Sequence, residues 1–282
     1  MYVTKLRKYA YIVSLLLILP GLVSLFTQGL NLGIDFTGGS LIHVKFDKQV
    51  KMEQIRNVLG QYEIDKGVPI QQAGVNEYII RTPILTEQQS GQLVEGLRDN
   101  LGDLEVMRID EVGAIIGKEL TNKALMAIGI ACILMLIYIT IRFEFKFGVG
   151  AVIALLQNVL IVVGVFSLFQ WEVDSSFIAA ILTILGYSIN DTIVVFDRIR
   201  ENLKLRRKEA YDVIVDKSVL QTVNRSINTV LTVVFCLGAL LLLGGATLKY
   251  FVLAMLIGIV IGCFSSIFIA SPIWYDLKIR EN

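Results

Sequence analysis

Six runs of almost unbroken apolar residues dominate the chain: 9–29, 123–141, 147–169, 176–196, 227–243 and 249–271. Each is long enough for a spanning helix, which takes roughly 17–25 residues. Between the first and second runs the pattern changes. The segment 30–122 is far more polar and carries shorter periodic stretches, which predict a strand over 40–47, a helix over 51–61, strands over 68–73 and 78–82, a helix over 87–101 and a strand over 104–110. Thr86, just ahead of Glu87, is an N-cap residue for the second helix. A β-α-β-β-α-β order is the ferredoxin-like arrangement, with two helices on one face of an antiparallel sheet. The expected fold is therefore an α-helical membrane protein of six spanning helices, with an α+β ferredoxin-like domain between the first and second. Three regions follow: 1–29 (tail and first span), 30–122 (inserted domain) and 123–282 (five spans, with a polar connection at 197–226).

Composition agrees with this class. Of 282 residues, 55% are hydrophobic and only 18% charged, which a water-soluble domain rarely matches. The net charge of +1 and the lack of a long basic tract give no reason to expect nucleic acid. Cys132, Cys236 and Cys263 all fall in apolar runs, without metal-ligand spacing, and read as small core residues. Lys5, Arg7 and Lys8 precede the first run, which has no small-residue cleavage pattern after it and reads as a retained anchor. Arg142 and Lys146 lie between the second and third runs. Between the fourth and fifth lie Arg198, Arg200, Lys204, Arg206, Arg207, Lys208 and Lys217, and Lys278 and Arg280 follow the last. The alternate connections carry Glu172 and Asp174, or Lys249 alone. By the positive-inside rule both termini are cytoplasmic and the inserted domain external. The basic stretch around 203–210 reads as a solvated helix face, with contact to anionic lipid as the alternative.

One carboxylate stands out. Asp191 interrupts the fourth run, in GYSINDTIVVFDRIREN, and an ionisable group in a spanning helix costs at least about 2.5–3.5 kcal/mol near the centre. Thr192–Phe196 then adds about 7.5 Å of apolar helix, keeping Asp191 below the headgroups on the cytoplasmic side. Asn190 and Tyr187 place polar groups on neighbouring faces. Asp197, Arg198, Arg200 and Glu201 follow at the interface, where a solvated cluster with i,i+3 pairs such as Asp197–Arg200 is the ordinary reading. Arg225 precedes the fifth run, in NRSINTVLTV, among Asn224, Ser226, Asn228, Thr229 and Thr232. From the residues alone it serves equally as a snorkelling interface arginine or as a partner for Asp191. A carboxylate facing an arginine feels desolvation and positive charge in opposition, so a change in their separation loads or releases a proton.

The remaining features have plainer readings. Gly33, Gly38 and Gly39 in LGIDFTGGS mark a tight turn; no GxxxxGK[ST] follows, so a phosphate loop is disfavoured. The segment 112–120 is expected to lead back to the second span, partly along the membrane surface. His43, the only histidine, falls in an expected strand and reads as structural. Gly258–Gly262 spells GxxxG, a helix-packing pattern. With no nucleotide-binding loop, metal cluster or nucleophile–base pair in the sequence, work driven by an ion gradient is expected rather than enzymatic chemistry.

LGIDFTGGSLIHVKF, VGAIIGKEL, GYSINDTIVVFDRIREN and NRSINTVLTV together resemble the SecD/SecF family of bacterial protein-export subunits, on the SecF side. The resemblance spans essentially the whole chain and extends in the membrane part to the RND superfamily. It implies half of an RND-like membrane unit in the bacterial inner membrane, completed by SecD, and association with the SecYEG channel and with YajC. It also implies a translocating unfolded polypeptide as client and the proton motive force as drive, with no other cofactor; by its own chemistry the carboxylate would serve Na+ as well as a proton. The family's coupling residues fall on Asp191 and Arg225, with Asn190 and Asp197 in the same motif. Some members carry both halves on one chain; here the other half is expected on a separate polypeptide. Half of a small-molecule RND pump, or a non-conducting translocon scaffold, are the alternatives.

Overall fold

Alternation of apolar and polar positions from Gly39 to Phe46 makes the central strand of a four-stranded antiparallel sheet. In chain order the inserted domain runs β1 (Gly39–Phe46), α2 (Met52–Gln61), β2 (Ile70–Gly74), β3 (Glu77–Thr82), α3 (Glu87–Leu101) and β4 (Leu104–Val112). Helix α1, Val3–Thr27, precedes it. The strands lie in the order β2-β3-β1-β4, all neighbours antiparallel, which is the expected ferredoxin-like topology. Ile42 sits opposite Ile80 and Ile109, and Val44 opposite Tyr78 and Val106. Val106 and Ile109 stay exposed, while Ile42, Val44, Phe46, Tyr78 and Ile80 share one core with Ile55 and Leu59 of α2 and Leu93 and Leu97 of α3. Each of these core side chains contributes about 1.5–3 kcal/mol by leaving water. Thr86 caps α3 as expected: its hydroxyl accepts from Gln89 N, and the Gln89 side chain accepts from Thr86 N at 2.9 Å.

His43 points to the other face of β1 yet is buried, 3.9 Å from the Glu77 carboxylate. Burial pushes its pKa below 6.5; nearby Arg108 acts in the same sense and Glu77 against it. It is structural, as the sequence suggested.

The computed structural model describes residues 2–62, 64, 68–206, 209–245 and 247–280. The chain forms two compact units, Leu32–Ala124 and a second one joining Met1–Asn31 to Leu125–Asn282. Among the described residues, six helices are long and apolar enough to cross a membrane. They are α1, α4 (Ala114–Arg142), α5 (Phe145–Leu168), α6 (Ser175–Leu205), α7 (Tyr211–Leu243) and a last one, Lys249–Ile279. The last comprises α8 (Lys249–Ser265), a π turn at Ser266–Ala270, and α9 (Ser271–Ile279).

The segment 112–120 leads back to the second span as expected, residues 114–120 forming the first two turns of α4. One expectation needs correction. The connection 197–226 is mostly helix, because α6 continues to Leu205 and α7 starts at Tyr211. Arg207 and Lys208 lie outside the described residues. Hydropathy marks where the solvent changes, whereas helical hydrogen bonding continues past that point. Ile199, Val215 and Val219 in these extensions are fully buried, and Asn202 Nδ2 donates to Ser218 Oγ at 2.8 Å, fastening one extension to the other.

Small residues bring the spans together. A Cβ at Gly164 of α5 would lie 2.8 Å from Gly21 Cα of α1, so the two backbones touch. Beside them Ser24 and Ser167 share a hydrogen bond of 2.9 Å. Gly258 and Gly262 face Ile184 and Ser188 of α6, so the GxxxG pattern does pack helices here. Phe147 stacks on Trp274 with ring centroids 4.6 Å apart, at the centre of the membrane-unit core. At one end a polar clasp joins early and late segments. Arg7 pairs with Asp276 at 2.9 Å, Tyr11 donates to Asp276, and Thr4 bonds Asp216 through both its amide and its hydroxyl.

Candidate ion-coupling site

Helix α6 begins at Asp174, whose carboxylate caps it by accepting from Phe177 N at 2.9 Å. From there Ile181, Ile184, Ser188, Thr192, Val195 and Ile199 follow at helical spacing and are buried. Asp191, one position from Thr192, turns about 100° away, toward α7. Its Oδ1 accepts from Ser226 Oγ at 2.5 Å. Its Oδ2 is buried and without a hydrogen-bond partner among the described residues. One turn earlier, the Tyr187 hydroxyl donates to Thr229 O at 2.9 Å and holds α6 against α7.

A cavity of about 60 Å³ lies between these helices, lined by Tyr187, Asn190, Asp191, Arg225 and Thr229 among others. That is room for a few water molecules. The structure thus brings Asp191, Asn190 and Arg225 to one site, as the sequence led us to expect. The expected direct Asp191–Arg225 pairing is not made. Arg225 faces the shared cavity while the neighbouring Ser226 hydroxyl occupies the carboxylate, and both Arg225 and Asn190 are exposed on this chain. Chemically, an unpartnered carboxylate oxygen takes up a proton without breaking a hydrogen bond, and a guanidinium lining the same small cavity favours the ionised form.

Asp197 does not join this site. It lies six residues further along α6, about 9 Å by helical rise, and pairs with Arg200 at 2.8 Å. Arg200 also donates to Arg142 O and covers the Phe143 ring, so this cluster ties α6 to the end of α4. The glycines are elsewhere too. Gly38 and Gly39 have φ of 75° and 133°, and a Cβ there would lie 2.9 Å from Ala114 Cα and 2.6 Å from Thr82 O. Only glycine serves at that turn. Gly33, with φ −71°, merely starts the single helical turn Ile34–Thr37.

Two polar neighbours went unrecognised in the sequence. Ser266, in the π turn, shares a hydrogen bond of 2.9 Å with Thr192. Asn158 of α5 is fully buried and donates to Ser188 Oγ at 2.9 Å. Neither has a local motif. The direct role of Ser226 was legible only as one polar residue among several beside Arg225.

Comparison with known proteins agrees with this architecture. Residues 92–280 match the family model "Protein export membrane protein SecD/SecF, C-terminal", and 23–50 match the SecD/SecF GG motif, which contains the Gly38–Gly39 turn. The chain is 46% identical over 279 residues to the protein translocase subunit SecF of Sebaldella termitidis, covering 97% of this chain and 91% of that one. It is 41% identical to the SecF subunit of Acidaminococcus fermentans, over 96% and 95% of the two chains. Among solved structures it is similar to SecDF, a translocon-associated membrane protein from a Thermus species, with a TM-score of 0.93 and 36% identity. That match covers 99% of this chain but 39% of the SecDF chain, so the present chain spans about two-fifths of that protein. On this evidence of sequence, motif and fold, the chain is a multi-pass membrane protein that belongs to the SecD/SecF family of protein-export membrane proteins.

Proposed function

We propose that the chain is a proton-coupled auxiliary subunit of protein export. It works with a SecD-type partner that supplies the second six-helix half, alongside the SecYEG channel and YajC. In this reading the membrane is the bacterial inner membrane, both termini are cytoplasmic, and the inserted domain moves on the far side to pull an unfolded polypeptide outward. The observation that carries the reading is Asp191, a carboxylate within a spanning helix whose second oxygen is buried and unpartnered beside a cavity shared with Arg225. The exposed amides Asn190, at the cavity, and Asn228, on the same part of α7, support a partner half there, since lipid would leave them unsatisfied. A proton crossing the full membrane potential supplies about 2.3 kcal/mol per 100 mV, so a few protons suffice for a domain movement.

The test is export in cells carrying Asp191→Asn or Arg225→Met at wild-type abundance. Precursor of a secreted protein should accumulate as it does without the chain. Normal export in both would leave the scaffold reading. Flux measured in vesicles with the partner, in proton and in sodium gradients, decides the ion.

A further inference from the structure

The N-terminal ends of α1 and α7 part to leave an open cleft of about 400 Å³. Tyr2 and Lys5 line one side, and Asp212, Asp216, Lys217 and Leu220 the other. The α7 residues recur at helical spacing, so a single face of that helix forms the wall.

Two positive and two negative side chains meet in this cleft, and one of each is already committed. Asp216 accepts from the Thr4 amide at 2.9 Å on one oxygen and from the Thr4 hydroxyl at 3.0 Å on the other. Lys217 pairs with Glu209 at 2.8 Å. Lys5 and Asp212 are left over. Among the described residues neither makes a salt bridge; Lys5 Nζ only lies over the Tyr2 ring, 4.6 Å from its centroid. The neighbouring cleft at Glu209, Tyr211 and Lys278 differs, because Glu209 is held by Arg206 and Lys217, and Lys278 by Glu144. A simple anion in the first cleft would meet Asp212, and a simple cation would meet Lys5. A zwitterion satisfies both.

The charges also stand in order along the helix. The Thr4–Asp216 bonds set Lys5 level with Asp216. Leu220, 54% exposed, lies one turn toward the apolar run 227–243, and Asp212 one turn away from it, about 6 Å by helical rise. Leaving the membrane, the cleft therefore presents apolar surface, then a cation, then a carboxylate. A zwitterionic phospholipid presents acyl chain, phosphate and then amine, the complement at each level. A primary amine fits best: its three N–H donors suit a carboxylate. A quaternary ammonium takes an aromatic cage, and the single ring here lies under Lys5.

We propose that this cleft seats the headgroup of a zwitterionic aminophospholipid, its phosphate against Lys5 and its primary ammonium against Asp212. The lipid bridges α1 and α7 beside the Thr4–Asp216 bonds. This site is separate from Asp191 and independent of the coupling reading.

The experiment is lipid binding to the purified full chain in detergent, read by native mass spectrometry. The probes are dioleoyl phosphatidylethanolamine, phosphatidylcholine and phosphatidylglycerol. The wild type should bind the ethanolamine lipid most tightly. Lys5→Ala should weaken that binding about fivefold, the worth of one exposed ion pair, and Lys5→Arg should preserve it. Asp212→Asn should lower the ethanolamine lipid to the level of the choline lipid. The same change should strengthen binding of the anionic glycerol lipid, because a repelling charge is gone. Lys204→Ala, on α6 and outside the cleft, is the control and should change nothing. Tightest wild-type binding of the glycerol lipid, an unchanged preference for ethanolamine over choline in Asp212→Asn, or an equal loss in Lys204→Ala overturns the proposal. O-phosphoethanolamine, the headgroup without chains, should not displace the lipid. Displacement would make the occupant a soluble zwitterion and overturns the lipid assignment.

Discussion

Placing a methyl group at Gly164 tests the closest helix crossing in the membrane unit. The new Cβ would lie 2.8 Å from Gly21 Cα and 3.3 Å from Gly21 C. Carbon atoms prefer about 3.5–4.0 Å, and backbone cannot swing aside as a side chain can, so α1 and α5 must part by about 1 Å. Overpacking of this kind costs about 1–3 kcal/mol. Parting also stretches the Ser24–Ser167 bond, now 2.9 Å, and interhelical bonds in membranes average about 0.6 kcal/mol. The expected loss for Gly164→Ala is about 2–3 kcal/mol, on the order of 100-fold in the folded ratio. Gly238 is the control, because nothing lies within 4 Å of its added Cβ. Alanine there should be neutral, or stabilising by up to about 1 kcal/mol. The assay is reversible unfolding of the full chain in mixed micelles, following tryptophan fluorescence. If Gly164→Ala is as stable as the wild type, the two backbones do not touch and the packing described for α1 is wrong.

His43 should make the inserted domain sensitive to acid. Its folded-state pKa lies below 6.5, so the unfolded chain binds more protons between the two values, and stability falls as pH drops below about 6.5. Hydrogen exchange of the β1 amides, corrected for intrinsic rates, should show faster opening at pH 5 than at pH 7. His43→Gln should reduce the difference, and an unchanged difference counts against the buried neutral histidine. Thr86→Ala removes the cap of α3 and should cost about 1 kcal/mol, read as loss of exchange protection confined first to Glu87–Leu101. Equal protection in the two proteins would mean the cap is not made.

Much of this fold is visible in the residue pattern because its causes are local. Period-two alternation marked β1 and β3, Thr86 marked the start of α3, and unbroken apolar runs marked the spans. The ends of α6 and α7 were hidden because amphipathic helix resembles polar loop once the apolar run stops, as at 197–205 and 211–226. Distance in sequence hid the rest. Gly21 and Gly164 meet across the whole inserted domain, and Ser266 reaches Thr192 only because a π turn rotates it there. At the site, Asp191 announced itself by its cost. Asn190 carried the same local signal and lines the same cavity, but a rotation of about 100° per residue leaves it exposed where Asp191 turns toward α7. Asp197 belonged to the interface cluster that spacing alone assigned it, with Arg200 as its partner.

The polar clasp between Arg7, Tyr11 and Asp276 bears on how the molecule is made. The first span leaves the ribosome long before the last exists, and it enters the bilayer with Thr4, Arg7 and Ser24 lacking the groups they finally bind. Asp216 and Ser167 arrive later, and Asp276 later still. Helix α1 is therefore seated in two stages: Gly164 and Ser167 of α5 receive it first, and its N-terminal end is fastened only when the C-terminal helix brings Asp276. A nascent chain stalled before Asp276 should carry a first helix already packed on α5 but with Arg7 and Tyr11 unfastened, so closing of the clasp coincides with completion of the subunit.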